Sequence, residues 1–113
     1  MAKTHWKPLT ILYPIPAVMV GCGHLPKEYN IIPVAWTGTI NSDLPMCSIS
    51  VRPGRHSYDI IKCTGEFVIN FTTEELSRVT DWGGCHKGRK CNKWERMKLT
   101  PGRAQKVKSN YRF

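Results

Sequence analysis

Arg52, Arg55 and Ser57 fall within six positions of one another, where an alternating stretch gives way to a short helical one. A helix start leaves its first N–H groups unpaired and carries a partial positive charge, so it attracts an anion without any dedicated motif. A guanidinium and a hydroxyl beside it add charge-assisted and neutral hydrogen bonds to phosphate oxygens. Upstream, Ser48 and Ser50, with Thr37 and Thr39 on the neighbouring stretch, offer a polar floor for a ring bearing carbonyls and N–H groups. On these residues alone two readings stand level: this phosphate site, or a plain N-cap at Ser57 with surface charges at Arg52 and Arg55 and a solvated Ser/Thr face. Trp36 reads equally as core, and Asn30 as the start of a loop.

Other chemistries find less support. His5, His24, His56 and His86 are scattered, with no Asp or Glu at an evident pairing distance, so no acid–base triad is assigned and no catalytic residue is named. Cys85, His86 and Cys91 raise a zinc site, but structural zinc sites pair closely spaced ligands twice over and a fourth ligand is missing from the pattern. A basic loop over those residues is the preferred reading.

The elements that must position these residues are mostly strands. Ala17 to Cys22 is an apolar run closed by Gly23 and reads as a buried strand. Ile31 to Ile40 reads as a second strand, with Val34, Trp36, Gly38 and Ile40 on one face and Ala35, Thr37 and Thr39 on the other. Asn41-Ser42-Asp43 is turn chemistry, and Leu44 to Arg52 resumes alternation, which makes a hairpin. Ser57 is the expected N-cap of a helix over Tyr58 to Cys63 that Gly65 stops. Glu66 to Phe71 is a fourth strand, and Thr72 with Glu75 has capping-box spacing for a helix ended by Gly83-Gly84. Cys85 to Lys93 follows as a polar, basic loop, then one helical turn over Trp94 to Met97.

Length and charge bound the remaining possibilities. With 113 residues, the chain holds one small domain, and a second copy is a natural cover for leftover apolar surface. The net charge of +9 is not spread evenly: residues 1–85 carry seven Lys/Arg against seven Asp/Glu, and residues 86–113 carry ten against Glu95 alone. Five cysteines without repeated CxxC spacing argue against a disulfide framework and for reduced thiols in a cytoplasm. Pro14 and Pro16 interrupt the apolar stretch from Leu9 to Val20 that a signal peptide would keep helical. No run reaches the roughly 20 apolar residues of a membrane span.

Pro14 to Val20, Asn30 with Val34 to Thr37, Leu44-Pro45 leading into Met46 to Ser50, Arg55 with Ser57, and Gly65 to Asn70 together resemble the flavin reductase-like, FMN-binding split-barrel family, in particular its flavoredoxin-like members. The Cys85 loop, Asn92-Lys93-Trp94 and Leu99-Thr100-Pro101 look like that family's later segments, so the resemblance covers about residues 10 to 103. It implies a mainly β fold with short helices, an FMN-binding split β-barrel. It also implies a homodimer that passes reducing equivalents from NAD(P)H or a redox partner protein through bound FMN. Carried over by position, Asn30, Trp36, Ser57 and Lys93 match residues that contact FMN; Thr37, Ser50 and Arg55 join them on the polar-face argument. Ser57 stands for a frequent Thr, Asn92 for a common Asp, and Trp94 for a frequent Phe.

The family continues beyond the Leu-Thr-Pro segment with strands that close its barrel, and Arg103 to Phe113 do not resemble them. The expected organisation is therefore an N-terminal portion of the barrel over residues 1–103, incomplete at its C-terminus, and a basic tail over 104–113. A truncated remnant without activity is one alternative. The other is a nucleic-acid or anionic-surface binder acting through residues 86–113, with Trp94 and Tyr111 stacking on bases.

Overall fold

The computed structural model describes residues 1–107. Its centre is a three-stranded antiparallel sheet in the order β2-β1-β5, built from β1 (Val18–Cys22), β2 (Asn30–Val34) and β5 (Val68–Phe71). Every residue of β1 is buried because the strand is paired on both sides and covered on both faces. Alternation divides its side chains. Met19 packs with Ile31, Trp94 and Met97 under α2 (Ser77–Cys85) and α3 (Lys93–Arg96). Val18 and Val20 pack with Val34 on the opposite side, where Ile61 of α1 (His56–Thr64) and Ile49 complete the cover.

The segment expected as one strand over Ile31 to Ile40 is two. β2 ends at Val34 because its partner there, Val18, is the first residue of β1, so no strand remains to pair with. The chain bends at Ala35-Trp36 and enters a separate hairpin, β3 (Thr37–Asn41) with β4 (Met46–Ile49). The hairpin agrees with the expected one, but alternation cannot report a change of sheet, and Trp36 falls on the bend with 43% of its surface exposed, outside the core. Pro33 is accommodated because β2 is an edge strand.

Three further expectations are corrected. Ser57 is not the N-cap of α1: the cap is Arg55, which makes no side-chain capping bond, and Ser57 is the second helical residue, fully buried. Gly65 does end this helix, in a left-handed conformation (φ 72°) with its N–H donating to Ile61 O. The Thr72 hydroxyl does not cap a helix either; it donates to Ala17 O at 2.8 Å and ties the end of β5 to the approach of β1. Finally, α2 runs through Gly83-Gly84 instead of stopping there. A Cβ at position 83 would lie 3.3 Å from both Met97 Sδ and Pro33 Cγ, so this glycine serves close packing of the helix on β2.

The two sheets do not close into a barrel among the described residues. No described helix is long and apolar enough to cross a membrane.

Candidate functional site

A cleft of about 460 Å³ opens where the start of β2, the Ala35-Trp36 bend, residues 50–57, the end of α2 and the turn at 86–90 converge. Its floor is set by one buried pair. Asn30, the first residue of β2, donates from Nδ2 to the Ser57 hydroxyl at 2.7 Å, with the two residues 4% and 0% exposed. This bond fastens the first turn of α1 to the sheet, so the N–H groups that a helix start leaves unpaired are held at the cleft wall. The Cys22 thiol lies behind the pair, donating to Asn30 O, and burial pushes its pKa up.

Lys93 closes the far side. It sits at the first position of α3, which Asn92 caps by accepting from the Trp94 and Glu95 N–H groups. Its ammonium donates to Gly83 O in the last turns of α2 at 2.7 Å, where the helix dipole favours a cation. Burial pushes Lys93 down to about 8, with the Arg55 charge adding to the effect and Cys91 and Cys22 opposing it. Burial likewise lowers His56, helped by the charges of Arg89 and Lys93 and opposed by Asp59. Neutral imidazole is therefore the form His56 holds near pH 7.

Between these walls the turn at 87–90, closed by the Lys90 N–H donating to Lys87 O at 3.0 Å, stands directly over the floor. It can do so because of Gly88. A Cβ at this position would meet Asn30 Oδ1 at 2.3 Å and His56 Cδ2 at 2.8 Å, so any side chain lifts the turn from the cleft. On the outer rim the Arg52 guanidinium lies 5.3 Å from the centre of the Trp36 ring, and Ser50 donates its N–H to Trp36 O at 2.9 Å.

Asn30, Trp36, Ser50, Arg55, Ser57 and Lys93 thus come together around one cavity. Thr37 does not: it lies outside the cleft, its hydroxyl donating to Ser48 O at 2.8 Å across the hairpin. Gly88, His56 and the carbonyl of Gly83 were not legible as site residues. The only sequence signal for Gly88 is its place as a lone glycine amid Lys87, Arg89 and Lys90. His86, raised as a zinc ligand, stacks on Trp82 at 4.0 Å and pairs through Nδ1 with Trp82 O. Trp94, raised as a base-stacking residue, is 3% exposed in the core beside Met19 and cannot serve that role, while Tyr111 lies outside the described residues.

The donor set fits a phosphate-bearing heterocycle: a helix start, Arg55 and Lys93 for the anion, and an indole, a serine and an asparagine for the ring. Residues 11–111 match the flavin reductase like domain family, and the chain belongs to that family. It is 31% identical to an uncharacterized protein of Pyrococcus abyssi over 99 residues, which are 88% of this chain and 57% of that protein. Its fold matches the flavoredoxin of Desulfovibrio vulgaris (Miyazaki F) with a TM-score of 0.89 at 28% identity, over 97% of this chain and 60% of that one. An FMN-binding protein from Thermus thermophilus with bound 1-cyclohex-2-enone shares the fold at a TM-score of 0.81 and 19% identity, over 98% of this chain and 61% of that one. The chain therefore spans somewhat more than half the length of these relatives, within a mainly β split-barrel fold.

Proposed function

We propose that the chain binds FMN in the cleft and, as part of a homodimer, relays reducing equivalents from NAD(P)H or another donor. The observation that carries this reading is the buried Asn30–Ser57 bond, which holds the α1 start against the cleft that Arg55 and Lys93 also line. A buried polar pair of this kind costs stability unless both partners are satisfied, and here its effect is to aim a helix terminus at open space. When bound, FMN supplies a ring that accepts and returns a hydride; the protein supplies binding, orientation and electrostatics. Arg55 and the helix N–H groups hold the phosphate, and Lys93 supplies a charge whose protonation is tunable near neutral pH. Trp36, braced by Arg52, walls one side of the ring space.

The dimer is supported by surface left uncovered. Ile40, Leu44 and Met46 of the hairpin are 62%, 76% and 52% exposed, and Trp6, Leu9 and Leu12 are exposed as well. Apolar groups concentrated this way mark an association surface.

FMN titration followed by flavin fluorescence and absorbance tests the binding. Saturation with a Kd at or below about 10 μM is expected; no saturable change across that range removes the reading. NAD(P)H oxidation by the loaded protein, with free flavin as acceptor, then separates a reductase from a carrier.

A further inference from the structure

Two separate depressions meet at α2 and share no lining residue. Gly83 and Gly84, with His86 just past the helix end, line the cleft described above, while Arg78, Val79 and Trp82 join Arg96, Met97 and Lys98 around a pit of about 200 Å³. Buried Met97 and half-buried Val79 and Trp82 make the apolar part of this pit, and exposed Arg78, Arg96 and Lys98 add three cations. No carboxylate lines it: Asp81 and Glu95, on the same two helices, lie outside. None of the three cations forms an ion pair among the described residues.

Two of these cations stand where local chemistry disfavours them. Arg78 is the second residue of α2, in the turn where the helix dipole opposes a positive charge. Lys98 is the one non-glycine residue at positive φ (56°) among the described residues. It occupies the left-handed position past α3 that glycine ordinarily fills, with its N–H donating to Glu95 O at 3.1 Å and the Leu99 N–H to Trp94 O at 3.0 Å. A side chain there strains the backbone. Two residues placed against local preference thus converge on one apolar pit, the pattern expected where a surface serves recognition.

We propose that this pit docks an acidic segment of a partner protein, which seats one aliphatic side chain among Val79, Trp82 and Met97 and sets carboxylates against Arg78, Arg96 and Lys98. Charge complementarity selects the partner: cations around an apolar floor match an anionic segment that also carries a hydrocarbon anchor. A nucleic acid would stack a base on Trp82, but that ring already gives a face to His86, with ring centres 4.0 Å apart. The same stack joins the two depressions, because Trp82 lines the pit and His86 lines the cleft. A partner seated in the pit is one aromatic pair away from whatever the cleft holds.

Titrating the peptide Glu-Asp-Leu-Asp-Glu into the isotope-labelled chain, followed by NMR, tests this. The Trp82 indole and Met97 methyl signals are expected to shift with a Kd at or below about 1 mM, while the Trp36 indole in the cleft stays in place. Serine in place of the peptide's leucine should weaken binding about fivefold or more, because the anchor is gone. The double variant R78A/R96A should weaken it about fivefold or more, and K7A/K27A, which removes the same charge elsewhere, by less than about twofold. Lys98→Gly should raise the thermal midpoint, since glycine relaxes the left-handed position, and still weaken peptide binding about twofold or more. No saturable shift, equal binding of the leucine and serine peptides, an equal loss in K7A/K27A, unchanged affinity in Lys98→Gly, or tighter binding of a short DNA duplex at the same signals overturns the assignment. The titration uses the flavin-free chain, so its failure leaves the flavin reading standing, and failure of the FMN titration leaves the pit standing.

Discussion

The central sheet and the β3–β4 hairpin are both antiparallel, yet only the first hides what it presents. Met19, Val20, Cys22 and Ile31 have no exposed surface, whereas Ile40, Leu44 and Met46 are each more than half exposed. The difference lies in cover: the sheet has helices on its faces, whereas only Ile49 of the hairpin packs on the sheet and Ile40, Leu44 and Met46 stay open. The site follows the covered region. Asn30, Ser57 and Lys93 are buried parts of it, while Thr37, on the hairpin, falls outside the cleft.

Breaking the covered region has the largest expected effect. Met19→Ala removes a fully buried side chain packed between the sheet and two helices and should cost about 2–5 kcal/mol in chemical denaturation. Gly88→Ala leaves that core intact but drives a methyl into Asn30 and His56, so the turn must lift; FMN affinity is expected to fall by about thirtyfold or more with little change in melting temperature. Asn30→Ala leaves the buried Ser57 hydroxyl without its donor and should lose about 1–3 kcal/mol of stability together with about tenfold in FMN affinity.

Lys93 sharpens the comparison through pH. Its pKa of about 8 in the free chain lies below the ordinary 10.5, so its charge weighs against folding below pH 8, and that burden lifts as pH rises from 8 towards 10.5. A bound phosphate favours the charged form and raises the pKa again. Between those values FMN binding should therefore take up a proton and weaken by at most about tenfold per pH unit, as calorimetry in buffers of different ionisation enthalpy will report. Lys93→Met should abolish the proton uptake. The smallest effect on folding is expected at the hairpin: Ile40→Ser with Met46→Ser should change monomer stability by less than about 1 kcal/mol yet shift the sedimentation-measured dimer equilibrium towards single chains.

What could be read from the sequence was whatever depends on a neighbour a few positions away. An apolar run closed by Gly23 marked β1, period two exposed the hairpin, and Gly65 marked the end of α1 because a left-handed cap is a local matter. What could not be read depends on distant partners. The break at Ala35 follows from where β1 begins, 17 residues earlier at Val18. Ser57 has the composition of a cap, and only Asn30, 27 positions away, makes it an anchor. Gly83 looks like a stop and is a packing contact with Pro33. The site was legible to the extent that charge and hydroxyls at a helix start are local features; the fit of Gly88 over the floor is not.

The thiol under that floor gives the cleft an internal reporter. Cys22 is wholly inaccessible, and burial holds it in the unreactive protonated state, whereas Cys47, Cys63 and Cys85 are exposed. A maleimide should modify the exposed thiols quickly and reach Cys22 only when β2 and α1 part. The lag before Cys22 reacts is then a stopwatch on how often the floor comes undone, and its lengthening when FMN is added would measure, in seconds, how firmly the ligand keeps sheet and helix together.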